Sequence, residues 1–446
     1  MFKKLSLFVI VFFVSLFFFG CSNKQSKNEI RVFAWEGLEF RNIFKTIVDE
    51  FEKDNPGIKV KAEFTYRGYA NKLITLAASG TLPDIIEVNP DYAGYLVPKG
   101  VLQDLSEFEK EYPDTASDKF FDISVKNFFY DIKKNKFGEG NLYAVPKDWN
   151  PDYCIFYNKN LFDKAGISYP DSTWTWTDFV KAAQKLTVVK NNIVEQMGAY
   201  FNVTDALGFM MLLYQNGGKV WSPDYKKCLM DSKEAVETFS FIMDLMKKYK
   251  VVPNVTQSDQ FGGANNDKSL FYMGKIGMMF SGKYEVSILQ KKVGDKFRWG
   301  VSGIFHGPVR RANIMWGPAG WAVAENSKNK KLAYKFLNYL VGEKTQIAMA
   351  KLNWGVPSLK SVAFSQFFSN VKNKNMRKIN NLFLAERKVT FQHPINPYIS
   401  YQEFYSILNR ELDNIIYDKK TVKQGLTDAV KAINELIAKN IKEIQQ

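Results

Sequence analysis

Apolar residues along this chain follow two alternating rhythms. Residues 30–35 form a short apolar run that predicts a strand, and Ile43, Phe44, Ile47, Val48 and Phe51 then recur at the spacing of one helix face over 41–53. Asn55-Pro56-Gly57 stops that helix. Val60, Ala62, Phe64 and Tyr66 next alternate as the inward face of a half-buried strand, a second helix over 70–79 ends at Gly80, and Pro83-Asp84 opens the apolar strand 85–88. Strand, helix, strand, helix, strand is the order of an α/β sheet, which binds ligands beyond its strand ends. The alternation restarts at Tyr143 and runs through the apolar segment 153–157 to a helix over 176–186, started by a Thr175 cap with Asp178 three residues on. Amphipathic helices are predicted again over 235–249, 331–340, 404–416 and 422–444.

The first twenty residues fit neither rhythm. Lys3 and Lys4 precede an apolar stretch, 5–19, broken only by Ser6 and Ser15 and too short for a full membrane span; it ends at Gly20. Residues 1–20 therefore read as an export leader. Cys21, directly after that small residue, resembles the lipobox cysteine of bacterial lipoproteins, with Phe18 where the pattern prefers Leu. The resemblance implies cleavage before Cys21 and its diacylation. The polar stretch that follows makes 21–28 a tether. Cys154 and Cys228 are expected to stay unpaired.

At 446 residues the chain exceeds what one core usually serves, so two lobes are expected. The balance of 61 Lys+Arg against 46 Asp+Glu is strongly positive, but the lysines are spread along helix faces and form no arm or block, which argues against nucleic acid as partner. The chain has no Gly-x-Ser-x-Gly elbow, no phosphate loop and no His-Glu-x-x-His, and only two histidines, His306 and His393. No metal or cofactor is expected. A glycoside hydrolase would need a fixed acid and base, and no motif supplies them.

Ordered motifs then carry a resemblance over nearly the whole mature chain. Val32-Phe-Ala-Trp-Glu36, Tyr69-Ala-Asn-Lys-Leu73, Ala78-Ser-Gly-Thr-Leu-Pro-Asp-Ile85, Leu142-Tyr-Ala-Val-Pro146 and Phe156-Tyr-Asn-Lys159 occur in that order. Asn216-Gly-Gly218, Gly274-Lys-Ile-Gly-Met-Met-Phe-Ser-Gly282 and Gly320-Trp-Ala-Val-Ala324 continue the series. Together they resemble the sugar-binding class (family 1) of bacterial extracellular solute-binding proteins, the substrate-binding lipoproteins of ABC transporters. The resemblance implies a type II periplasmic-binding-protein-like fold: two α/β lobes, 29–148 plus 303–345 and 149–302 plus 346–446, joined by three chain crossings and closing on solute by a hinge. It also implies a monomer that works with separate permease subunits.

A sugar needs short polar groups for its hydroxyls and flat rings for its C–H faces. Trp35 and Glu36 end the first strand, Asp91 follows the strand 85–88, and Tyr66 ends its own strand. Helix capping or a solvated turn is the alternative for Glu36 and Asp91, and an inward packing role for Tyr66. Asp148 and Trp149 interrupt an apolar path at the first crossing, with Tyr153 behind them. Trp316 precedes the Gly-rich stretch 317–320. The resemblance adds Asp205, which a helix N-cap would equally explain, Tyr284, where the family often has Trp, and Tyr405 on a C-terminal helix; Trp354 is a weaker candidate. Trp176 and Trp321 are expected to pack structurally. A polyamine or a glycerol phosphate in the same cleft stands as the alternative ligand.

Overall fold

The computed structural model describes residues 28–35, 37–65, 67–191, 193–253 and 268–444. The leader and Cys21 lie outside them. Two sheets organise the chain. The first runs in the order Val356–Pro357, Val145–Trp149, Ala319–Val323, Ile85–Val88, Glu29–Ala34, Lys59–Phe64. Glu29–Ala34 pairs in parallel with both of its neighbours, as βαβ crossovers require, whereas Ala319–Val323 is antiparallel to both of its own. All four residues of Ile85–Val88 are buried, because this strand is covered on both faces. Lys59–Phe64 lies at the sheet edge and buries none of its residues fully, so the alternation in its sequence marks a shallower face than expected.

Helix Leu38–Asp54 covers this sheet through Phe44 and Phe51, whose rings lie 5.9 Å from Trp321 and 4.6 Å from Phe336. Trp321 is fully buried, as expected. The second sheet runs Trp299–Ser302, Cys154–Asn158, Ile276–Ser281, Ile193–Tyr200, Val188–Lys190. Helix Trp176–Leu186 begins at the Thr175–Asp178 capping box and lies close on Ile193–Tyr200. A Cβ on Gly198 would stand 1.9 Å from the Ala183 carbonyl, so only glycine permits that approach. Trp176 stacks on Phe241 at 4.2 Å and donates to Gln215 Oε1 at 2.6 Å, the structural role expected of it. Cys154 and Cys228 are both free and buried.

The chain passes between the lobes after Trp149, near Met315 and after Pro357, so two of the expected boundaries move. Residues from 303 do not enter lobe one directly. Gln215 Nε2 donates to the carbonyls of Phe305 and Ala312 at 3.2 and 2.8 Å, which holds 303–312 on lobe two. Nor does lobe one end at 345, since Val356 and Pro357 pair with Trp149 and Asp148 at its sheet edge. Helix Lys374–Glu386 then packs on the second sheet, with Phe383 6.3 Å from Phe156.

Inside lobe one, the Lys147 ammonium meets Glu87 Oε1 at 2.5 Å, with side-chain exposures of 1% and 0%. The cation also stands 4.1 Å from the Phe40 ring centre. Two charges so deep are stable because they are paired, and removing one partner of such a pair costs about 3–5 kcal/mol. Glu87→Leu should therefore lower the unfolding free energy by about 3–5 kcal/mol. Adding Lys147→Met should recover much of that loss, as read from urea unfolding midpoints at constant slope.

Candidate functional site

Beyond the strand ends a cavity of about 990 Å³ separates the lobes. Trp35, at the end of Glu29–Ala34, forms one wall, edge-on to Tyr69 at 5.2 Å and to Tyr92 at 5.8 Å. Buried chemistry holds these rings. The Trp35 backbone N–H donates to Glu87 Oε2 at 3.2 Å, and the Tyr69 hydroxyl donates to the Glu87 carbonyl at 2.5 Å. Asn89 caps the helix Pro90–Leu96 by accepting the Tyr92 N–H at 2.9 Å, and burial pushes the Tyr92 hydroxyl up to about 12. A phenol so placed stays a neutral hydrogen-bonding group.

The floor and the hinge side come from the crossings. Asp148, 5% exposed, sits on the strand Val145–Trp149 between Ala319 and Pro357. Asn150 lines the cavity, and its Oδ1 is buried with no hydrogen bond among the described residues. Trp316 donates its backbone N–H to Asp152 Oδ2 at 2.7 Å, and its ring packs edge-on against Tyr401 at 4.3 Å. Burial pushes the Asp152 carboxyl up to about 7, against the pull of the Trp316 N–H, and the nearby Asp205 and Asp148 add to the rise.

The lobe-two wall is built on Glu285, which is fully buried. It accepts from Lys268 Nζ at 3.0 Å, Ser281 Oγ at 2.9 Å and the Tyr272 hydroxyl at 2.5 Å. Lys268 also stands 5.1 Å from the centre of the Tyr284 ring. Burial opposes the Lys268 charge, but Tyr284 and Glu285 outweigh it and hold the ammonium above the ordinary lysine value. Trp354, from the segment after lobe one's last long helix, completes the lining.

Of the residues expected from sequence, the structure brings Trp35, Asp148, Tyr284 and Trp316 together around this cavity, with the weaker candidate Trp354. Glu36 and Tyr66 lie outside the described residues. Five expectations are corrected. Trp149 is 0% exposed and packs against Phe121 at 6.1 Å, because the strand's other neighbour, Asp148, takes the open side. Asp91 turns away from the cavity to meet His393 Nε2 at 2.8 Å, with its side chain 5% exposed. Asp205 caps the helix Ala206–Gln215 by accepting the Leu207 N–H at 3.1 Å, and burial raises its pKa. The Tyr153 hydroxyl bonds to that same carboxylate, so both residues serve the lobe-two core. Tyr405 is 8% exposed and stacks behind Trp316 on Tyr401 at 4.0 Å.

Sequence reasoning missed Tyr69, Tyr92, Asn89, Asn150, Asp152 and Lys268. Asn89-Pro90 carried a legible signal, a cap residue before a helix-starting proline just past a buried strand. Lys268 carried none, since its place depends on a carboxylate seventeen residues away in sequence.

Residues 37–347 match the family model for the bacterial extracellular solute-binding protein. The arabinooligosaccharide-binding protein of Bacillus subtilis (strain 168) is 24% identical, across 94% of this chain and 96% of its own. The multiple sugar-binding protein of Streptococcus mutans serotype c is 24% identical, across 76% and 78%. Among solved structures, an ABC substrate-binding protein from Listeria monocytogenes in complex with cycloalternan superposes with a TM-score of 0.80 at 25% identity, covering 92% of this chain and 99% of that one. A maltose/maltodextrin-binding domain from Bdellovibrio bacteriovorus bound to maltotriose shares the fold, with a TM-score of 0.74 at 19% identity over 93% and 100%.

Two measurements check this geometry. Trp149→Ala should cost about 3–5 kcal/mol of stability, the loss expected for a buried tryptophan, where a surface ligand contact would cost far less. The second concerns pH. Folded Asp152 keeps its proton up to about pH 7, whereas its ordinary value is 3.8, so the folded chain binds more protons between the two. That contribution to stability is complete below the lower value and is lost as pH rises to the upper one. Asp152→Asn should flatten this part of the melting temperature against pH.

Proposed function

We propose, for a chain that belongs to the bacterial extracellular solute-binding protein family, that the interlobe cleft captures an oligosaccharide and delivers it to the permease of an ABC-type importer. Proteins of this family bind solute outside the cytoplasm and do not transform it. The observation that carries the carbohydrate reading is the lining itself. Trp35, Tyr69, Tyr92, Tyr284, Trp316 and Trp354 surround Asp148, Asn89 and Asn150 in one cavity. Rings cover the C–H faces of a sugar, and the carboxylate and amides pair with its hydroxyls. The unpaired Asn150 Oδ1 fits the same ligand, because a buried acceptor left alone costs about 1–3 kcal/mol and a hydroxyl relieves it.

At about 990 Å³ the cavity lies at the upper end of the range for small-molecule sites, room for more than one sugar ring. The names of the B. subtilis and S. mutans relatives and the saccharides bound in the solved neighbours agree with this class. A polyamine fits less well. Among the described cleft residues Glu285 is already taken by Lys268, and that ammonium stands in the wall where a polyamine would need carboxylates.

The three crossings serve as the hinge. Solute binds first on the ringed wall of lobe one, and lobe two closes with Tyr284 and Lys268. The body acts as a monomer held to the membrane surface by a lipid on Cys21. No helix among the described residues is long and apolar enough to cross a membrane.

A thermal-shift screen over neutral oligosaccharides, monosaccharides and polyamines tests the reading. A bound solute at a hundred times its Kd should stabilise the fold by about 2.7 kcal/mol. Tyr284→Ala should weaken binding by roughly three- to tenfold, the worth of one ring contact, while the apo protein still unfolds in a single cooperative transition. A shift with polyamines and with no saccharide sinks the carbohydrate reading, and steady release of reducing ends would make the protein an enzyme.

A further inference from the structure

A second cavity, of about 840 Å³, lies behind the first and is bounded by both lobes. Its lobe-one wall is the segment 126–137, its lobe-two wall carries Tyr214 and Arg310, and its floor is 388–398. The charge in it is mainly positive. Lys126, Arg310 and Lys388 are exposed and have no carboxylate within salt-bridge distance among the described residues. Among the described lining residues the one acid is Asp224, whose carboxylate is kept ionised by Ser222 Oγ at 2.6 Å and the Lys226 N–H at 3.2 Å. Inside this basic frame Phe391 packs on Tyr214 at 4.2 Å, a ring platform of the kind that takes a sugar face.

The two cavities come close to each other at Gln392 and Gly317. Gln392 lines the rear one and accepts from Asn127 Nδ2 at 2.5 Å, while its own Nε2 is buried without a hydrogen bond among the described residues. That nitrogen stands 3.4 Å from where a Cβ on Gly317 would lie, and Gly317 lines the front cleft.

We propose that the rear groove is a subsite for the anionic residues of an acidic oligosaccharide, one bearing carboxylates such as hexuronates. This rests on the carbohydrate reading of the front cleft and adds the charge of the solute to it. Arginine and lysine pair with carboxylates through charge-assisted hydrogen bonds, and the Tyr214–Phe391 platform supplies the stacking that a free inorganic anion would not use. Lys126 stands on the lobe-one wall and Arg310 on the lobe-two wall, so a carboxylated saccharide in the groove meets a cation from each lobe. A concave groove with two walls suits a soluble saccharide better than a flat bilayer.

Calorimetric titration of the full folded protein with trigalacturonate and with its methyl ester tests this, at low and high salt. The expected result is at least about tenfold tighter binding of the acid, an advantage that shrinks in high salt and is lost in the double variant Arg310→Gln, Lys388→Gln with its melting temperature unchanged. Neutral oligosaccharides that bind while the acid gains nothing, or gains equally in the double variant, overturn the groove and leave the front cleft standing. No binding of any saccharide removes the carbohydrate reading and the groove with it. Groove-dependent binding of inorganic phosphate without saccharide, or of vesicles containing anionic phospholipid, overturns the assignment to an acidic sugar.

Discussion

The ion pair between Lys147 and Glu87 carries the architecture of lobe one. It joins two strands that are not neighbours, reaching across Ala319–Val323 in the sheet order, and it lies where water cannot screen it. Glu87 does more than neutralise a lysine. Its second carboxylate oxygen accepts the Trp35 N–H and its carbonyl accepts the Tyr69 hydroxyl. One buried glutamate thus fixes both the Trp35 main chain, through its carboxylate, and the Tyr69 hydroxyl, through its carbonyl, on the lobe-one side of the cleft.

Lobe two repeats the device with different parts. Glu285 is as deeply buried as Glu87 and gathers a lysine, a serine and a tyrosine hydroxyl around it. On each side of the cleft, then, a buried glutamate anchors the wall, through main-chain and hydroxyl contacts in lobe one and through side chains in lobe two, so little has to be ordered when solute arrives. Between the lobes, Asp152 ties the first crossing to the second through the Trp316 N–H and through its own N–H to the Ile314 carbonyl. Hinge segments that share hydrogen bonds move together.

Local pattern made a large part of this legible. The helix 176–186, its capping box and the strand 85–88 stand where apolar spacing and cap residues put them, because those signals act over a few residues. Ordered motifs pointed to the family that the match over 37–347 bears out. The site was less legible. Trp149 and Asp148 are adjacent polar and aromatic residues at a crossing, and nothing in their order tells which one faces the cavity. The alternation of the strand decides it only once the partners Ala319 and Pro357 are in place. Asp91 and Asp205 both sit at helix starts, where a histidine three hundred residues on and a tyrosine in the turn before the strand Cys154–Asn158 take up their carboxylates.

The sequence by itself determined the α/β alternation, the helix boundaries set by caps and breakers, and the family, since each rests on short-range chemistry or on the order of motifs. Only the tertiary structure decided which rings line the cleft, which carboxylates are already paired, and that 303–312 stays with lobe two while 356–357 returns to lobe one. Those outcomes depend on contacts between segments far apart in the chain, where burial and pairing of charge are settled by neighbours that no local pattern names.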